Sequence, residues 1–150
     1  MNFDFSEDQK TLKDQVRRFL SETCPIEVTR RVLDSDETHA KEVWRGLAEL
    51  GAMGVAIPEA YGGMGLSPLD LCVVAEEMGR ACAPVPFSSS IYLAAEAILR
   101  WGSEAQKSTW LPKLASGEAI GTLAVAEGPQ PPSERNIRTA FSGGKLTGAK

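Results

Sequence analysis

Three stretches of the sequence carry residue types at spacings that could do chemistry. The first is Ile57-Pro58-Glu59-Ala60-Tyr61-Gly62-Gly63-Met64-Gly65, a glycine-rich loop that runs into Ser67-Pro68. Backbone N–H groups in such a loop, placed ahead of a helix N-terminus, can hold a phosphate. The dinucleotide fingerprint is not completed, however. Counted from Gly63, its third glycine position falls on Pro68, and no strand–helix–strand unit follows. Spacing therefore favours a tight inter-helix connection in which glycine supplies positive φ and close approach. The second stretch is Arg80 to Ser90, where Pro84 and Pro86 hold an extended corner and Val85, Phe87, Ile91 and Leu93 give it an apolar lining. That pattern suits one wall of an apolar ligand cavity between helices, or ordinary core packing around a helix–helix turn. The third is Glu76-Glu77, whose adjacent side chains point to different faces of a helix, so that they form no acid–base pair and at least one is expected at the surface.

The remaining reactive groups do not assemble. Ser88-Ser89-Ser90 offers hydroxyls, but the single histidine, His39, reads as a solvated surface residue and completes no triad. Cys24, Cys72 and Cys82 are odd in number, without CxxC spacing or a histidine cluster. They read as three reduced thiols of a cytoplasmic protein. No residue is assigned as catalytic or as a metal ligand.

The elements that must position these stretches are mostly helical. Ser6 and Gln9 resemble a capping box ahead of the one-sided pattern Leu12, Val16, Phe19, Leu20. Pro25 reads as a first-turn proline of a second helix. Thr38 reads as the cap of a third, with Val43, Leu47 and Leu50 on one stripe and Gly51 as its stop. Ser67-Pro68-Leu69-Asp70 opens a fourth that is apolar nearly all round, as a helix buried on several sides would be. Ser89 to Trp101 suits a fifth, and Ser103 with Gln106 starts a sixth that ends near Ala115. Ala119 to Ala126 then reads as a strand, Gly128 to Ser133 as a loop, and Asn136 to Phe141 with Gly143-Gly144 and Lys145 to Thr147 as a hairpin. The fold class is mainly α: an N-terminal helical domain of about six helices over 1–118, followed over 119–150 by the first strands of a truncated β domain.

Composition bounds the function. The chain has 150 residues and a formal charge of −4, which gives no electrostatic reason to expect nucleic acid. Apolar runs are short and the longest helices carry Glu or Arg, so none is expected to span a membrane. The start at Met1-Asn2-Phe3-Asp4-Phe5 is acidic and lacks the basic and apolar stretches expected of a secretory signal. Residues 1–42 hold 17 charged side chains and residues 43–118 hold 13, so the later segment is expected to supply most of the core.

Several of these segments together resemble one family. They are Phe5-Ser6-Glu7-Asp8-Gln9; Gly54 through Ile57-Pro58-Glu59-Ala60-Tyr61-Gly62-Gly63-Met64-Gly65 to Ser67; Ala75-Glu76-Glu77-Met78-Gly79; Gly102-Ser103-Glu104-Ala105-Gln106-Lys107; Trp110-Leu111-Pro112-Lys113-Leu114; and Leu146-Thr147-Gly148. In this order the sequence resembles the N-terminal part of an acyl-CoA dehydrogenase. The resemblance implies a helical N-terminal domain, a middle β domain and a C-terminal helix bundle in the parent. It also implies FAD as cofactor, an acyl-CoA substrate oxidised to the 2-enoyl-CoA, and an electron-transfer flavoprotein as acceptor. A homo-oligomer, or a hetero-oligomer, is implied as the assembly. The glutamate base of such enzymes lies in the C-terminal domain, beyond Lys150, so this part alone is expected to be inactive and neither Glu76, Glu77 nor Glu127 stands in for it.

Residue by residue, the resemblance places Leu123, Val125 and Ala126 on the first middle-domain strand, as cofactor-binding positions. It places Val85, Phe87, Ser89, Leu93 and Ser133 as substrate-binding positions. Two departures stand out. Ala126 occupies the position that usually carries Thr, and Pro129-Gln130-Pro131-Pro132-Ser133-Glu134 replaces the usual Gly-Ala-Gly-Ser-Asp loop. They leave two alternatives beside the dehydrogenase: a non-catalytic partner subunit of the same fold, and a flavin oxidase or monooxygenase.

Overall fold

The computed structural model describes residues 4–150, so the reading of Met1-Asn2-Phe3 lies outside the described residues. Among the described residues six α-helices are followed by one antiparallel hairpin. The first, α1 (Glu7–Thr23), opens on the expected capping box: Gln9 N–H donates to Ser6 Oγ at 3.2 Å and Ser6 N–H to Gln9 Oε1 at 3.0 Å. Its apolar stripe buries Val16 and Leu20 completely. In α2 (Ile26–Leu33) Pro25 stands one position earlier than expected. Its ψ of 160° keeps it outside the helix, where its carbonyl accepts Val28 N–H.

Ala40, not Thr38, precedes α3 (Lys41–Glu49). The Thr38 hydroxyl is turned to His39 Nδ1 at 3.0 Å, and Ala40 N–H donates instead to the Pro84 carbonyl at 2.9 Å, which ties this helix start to the proline corner. His39 is half-buried rather than solvated, its ring edge-on to Trp44 at 6.1 Å. Gly51, with φ of 79°, ends the helix as expected.

The fourth helix, α4 (Pro68–Arg80), has the Ser67–Asp70 capping box and an N-terminal proline. It is not buried all round. Val73, Val74, Glu77 and Met78 face the core, whereas Leu69 and Cys72 are exposed along the opposite side. Hydropathy alone could not show this, because that side carries apolar residues that the described chain does not cover. The next helix begins one residue earlier than expected, at Ser88, and is wound as a π-helix over Ser88–Ala95 before continuing as α5 (Glu96–Trp101). Finally, α6 (Glu104–Ala115) opens on the Ser103–Gln106 box.

No strand forms over Ala119–Ala126. A strand exists only as one side of a ladder, and the only strands among the described residues, β1 (Ala140–Ser142) and β2 (Lys145–Thr147), pair with each other in the register Phe141↔Leu146. The hairpin is as expected, but its first strand starts at Ala140 rather than Asn136. The N–H groups of Asn136 and Ile137 turn back onto the Ser133 carbonyl, and those of Arg138 and Thr139 are taken by the Glu127 carboxylate.

The core has two parts. The larger joins Val16 and Leu20 to Val43, Leu47, Met53, Val74 and Ile91; the smaller seats Leu111 and Leu114 of α6 against Ile57 and Ala95. Among the described residues 22 hydrophobic side chains are buried, and of these only Val16, Leu20, Cys24, Val32 and Ala40 precede residue 43, as the charge distribution predicts. Among the described residues no helix is long and apolar enough to cross a membrane.

Candidate functional site

The glycine loop is spent on itself. Gly62 and Gly65 take φ of 80° and 65°, and a Cβ on Gly63 would overlap the Ile57 carbonyl. Its donors are used within the chain: Met64 N–H reaches Gly54 O at 2.8 Å, Gly65 N–H reaches Ile57 O at 2.8 Å and Leu66 N–H reaches Val55 O at 2.9 Å. A phosphate would find no aimed donors there. The loop is the tight connection that fixes the start of α4.

That helix is held to α1 by an ion triad centred on a buried carboxylate. Glu77 has a fully buried side chain and accepts Arg17 Nε at 3.0 Å, Arg17 Nη2 at 2.8 Å and Arg80 Nε at 2.6 Å. Burial pushes its carboxyl up, but hydrogen bonds from Arg17 and Arg80 outweigh that and hold it below the usual glutamate range. Glu76 is the surface member of the pair, bonded to Lys13 at 2.8 Å. Both carboxylates are structural.

With α4 fixed, its exposed apolar side faces the π-helical segment across the proline corner. Val85 and Phe87 border one groove of about 270 Å³ together with Ala75, Met78 and Tyr92. Phe87 is otherwise a core residue, 2% exposed, with its ring edge-on to Tyr92 at 5.4 Å. Ser89 is half-buried and donates to the Pro86 carbonyl at 3.1 Å, and Leu93 is 46% exposed on the outside of the same helix. Ser133 does not border the groove at Val85 and Phe87. It sits in an exposed turn, its N–H on Asn136 Oδ1 at 2.7 Å.

The segment after α6 is pinned by a residue the sequence reading missed. Ser90 is fully buried; its Oγ accepts Gly121 N–H at 3.0 Å and donates to Gly121 O at 3.3 Å. Gly121 is needed because a Cβ there would strike Ala94. Nothing in Ser88-Ser89-Ser90 singles out the middle of a buried face unless the π winding is known. Beyond Gly121 the chain runs past a groove of about 490 Å³ between Ala94, Ile98, Trp101 and Trp110. Leu123 and Val125 then stand 41% and 39% exposed, with Ala126 also exposed. Among the described residues, no hydrogen bond engages the N–H groups of Leu123, Val125 and Ala126. Uncovered apolar side chains beside unpaired backbone donors fit the edge of a flat heterocycle that carries ring acceptors, as a flavin does.

Glu127 closes this segment. Its carboxylate accepts Arg138 N–H at 2.6 Å and Thr139 N–H at 2.9 Å and pairs with Lys150 Nζ at 2.7 Å, folding the hairpin back. Lys150 first, with the other donors, holds its carboxyl down to about 2. A carboxylate so engaged is poorly placed to serve as a base.

Residues 6–118 match the family model "Acyl-CoA dehydrogenase, N-terminal domain". The chain is 38% identical over 124 residues to mitochondrial isovaleryl-CoA dehydrogenase of Pongo abelii, a match that takes 81% of this chain and only 29% of that protein. It superimposes on the ChsE4–ChsE5 complex of Mycobacterium tuberculosis with a TM-score of 0.84 and 29% identity, over 97% of this chain and 39% of that one. An acyl-CoA dehydrogenase from Bacillus anthracis, solved in complex with FAD, matches with a TM-score of 0.67 and 28% identity over 78% of this chain and 20% of that one. The chain thus spans less than a third of the isovaleryl enzyme's length. With its capped helices, glycine connection and segment order all present, the chain belongs to the acyl-CoA dehydrogenase family.

Proposed function

We propose that the chain serves as the N-terminal helical domain, over 1–118, and the opening of the β domain, over 119–150, of a FAD-dependent dehydrogenase that converts an acyl-CoA thioester to its 2-enoyl-CoA. The observation that carries this reading is the segment Gly121–Ala126, pinned by Ser90 and presenting the side chains of Leu123, Val125 and Ala126 exposed, with their N–H groups bonded to no other described residue. These three residues would hold the flavin, and Val85, Phe87, Ser89, Leu93 and Ser133 would contribute to the substrate side. FAD, when bound, would supply a hydride acceptor, and Leu123, Val125 and Ala126 would orient it. The reducing equivalents would pass to an electron-transfer flavoprotein. An oligomer and a cytoplasmic location complete the proposal, the latter supported by three free cysteines.

Titrating the protein with FAD and following the quenching of flavin fluorescence tests the reading. Wild type should bind, and Leu123→Asp, which sets a charge against an apolar ring, should weaken binding at least 10-fold, about 1.4 kcal/mol. Equal binding by the two would overturn the placement of the flavin.

A second reading, a non-catalytic partner subunit, is favoured by one specific observation. The prolines of Gly128–Ser133 and the methyl of Ala126 stand where polar flavin contacts are expected, and a two-component complex is among the structural relatives. Failure to bind FAD alone, with binding restored by a companion chain, would select it.

A further inference from the structure

Helices α1 and α4 lie side by side and run in the same direction. Lys13 meets Glu76 at 2.8 Å, Arg17 meets Glu77 at 2.8 Å, and a turn further along Ser21 Oγ accepts Arg80 Nη2 at 3.4 Å. Both helices therefore end at the same side of the molecule. The first residue past α1 is Cys24, and the second past α4 is Cys82. They border one groove of about 320 Å³, with Leu20, Ser21, Arg80 and Ala81. Thr29 of α2 touches both. Its hydroxyl donates to the Cys82 carbonyl at 3.1 Å and is a hydrogen-bond partner of the Cys24 thiol.

The two thiols differ in setting. Cys24 is buried, and burial pushes its thiol up, so it keeps its proton. Cys82 is exposed and occupies an unusual place for its type. Its N–H bonds Gly79 O at 3.0 Å and the Ala83 N–H bonds Met78 O at 3.1 Å, the paired bonds that end a helix on a left-handed residue. Glycine usually fills that position because a Cβ is strained there, yet Cys82 holds φ of 47°. Among the described residues no other non-glycine has a positive φ. Strain of this kind concentrates at functional positions.

We propose that Cys24 and Cys82 are a thiol-oxidation site, joined in a reversible disulfide when the protein meets a hydroperoxide. The exposed Cys82 reacts first. Its thiolate attacks one peroxide oxygen, the O–O bond breaks, water leaves and a sulfenic acid remains. The Cys24 sulfur then attacks the sulfenic sulfur, the S–O bond breaks, and the hydroxyl leaves with the Cys24 proton as a second water. Two thiols give up two electrons and two protons, and hydrogen peroxide is reduced to two waters. Both cysteines lie past helix ends rather than inside a helix, so the chain can adjust to the narrow geometry of the bond. In a reducing compartment the bond is transient. It joins positions 58 apart, a long loop whose closure stabilises the fold. Cys72, also exposed, does not border this groove.

The test treats the folded, reduced chain with an equimolar amount of hydrogen peroxide and digests it with trypsin in the absence of reductant. Trypsin leaves each cysteine in its own peptide: Cys24 in 19–30, Cys72 in 46–80 and Cys82 in 81–100. The expected product is peptide 19–30 joined to 81–100, two hydrogens lighter than their sum and separated again by dithiothreitol. The oxidised chain should unfold at a urea concentration about 1 M higher than the reduced chain. Cys72→Ser should leave both results unchanged. Cys82→Gly removes the thiol and relieves the backbone, so it should be at least as stable as reduced wild type, yet form no link and gain nothing from peroxide. Failure to join the two peptides in wild type, a link through 46–80 in their place, a link that forms only after unfolding, or an oxidised chain no more resistant to urea would each overturn the proposal. Neither FAD nor a thioester enters the experiment, so its outcome is independent of the proposed enzymatic activity.

Discussion

Replacing Glu77 by Ala should remove the strongest polar tie between α1 and α4. The carboxylate is fully buried, while its partners Arg17 and Arg80 are 46% and 42% exposed. Breaking a buried ion pair typically costs 3–5 kcal/mol. Here the two arginines can turn to water once the carboxylate is gone, so the loss should fall at the lower end, about 3 kcal/mol. For a chain of this size that corresponds to a drop in Tm of roughly 6–12 °C. The converse change should be worse. Arg17→Met with Arg80→Met leaves the carboxylate in the core with neither arginine, so the double variant should lose at least as much as Glu77→Ala. Urea melts of the three proteins measure both quantities. A loss below about 1 kcal/mol for Glu77→Ala, or a double variant milder than it, would refute the reasoning. The pH dependence has a fixed sign. Because the folded-state carboxyl lies below its ordinary value of 4.5, the triad's contribution is complete above that pH and fades as pH falls through the folded value.

Other perturbations have equally definite outcomes. Ser90→Ala removes both bonds to Gly121 and should cost about 1–3 kcal/mol, with amide exchange at Gly121 accelerating ahead of that in α1. Gly63→Ala places a Cβ in the Ile57 carbonyl and should destabilise the chain by at least about 2 kcal/mol in a thermal melt. Glu127→Gln should free the hairpin, seen as loss of protection of the Arg138 and Thr139 amides. In wild type the same contact should weaken as pH falls from 4.5, the ordinary glutamate value, through about 2, since the folded-state carboxyl is depressed; a carboxyl-carbon NMR titration reads it directly.

What the sequence made legible follows from which signals are local. The three boxes at Ser6, Ser67 and Ser103 each need only residues three apart, and all three form. Gly51 and the Gly143-Gly144 turn are local for the same reason. The misreadings all depend on something distant. Thr38 loses its capping role because the Pro84 carbonyl, 44 positions later, takes the Ala40 N–H instead. That one of Glu76 and Glu77 lies at the surface was legible, but not that Glu77 is the buried one, because nothing near it announces Arg17 on another helix. Ala119–Ala126 has strand composition, but strands need ladder partners that the described residues do not provide. The π winding that buries Ser90 and orients Tyr92 has no sequence signature, so two residues that shape the candidate site could not be read from spacing.

The central claim is that this chain helps hold a flavin against an acyl-CoA thioester. The most direct measurement is an anaerobic titration of the protein, expressed from its own gene and loaded with FAD, with a panel of straight, branched and ring-bearing acyl-CoA thioesters. The visible flavin bands are followed together with the product mass. The account predicts bleaching by at least one thioester and a product lighter by two hydrogens. A protein that takes up no FAD, or one that takes it up and leaves every thioester unchanged, would contradict it.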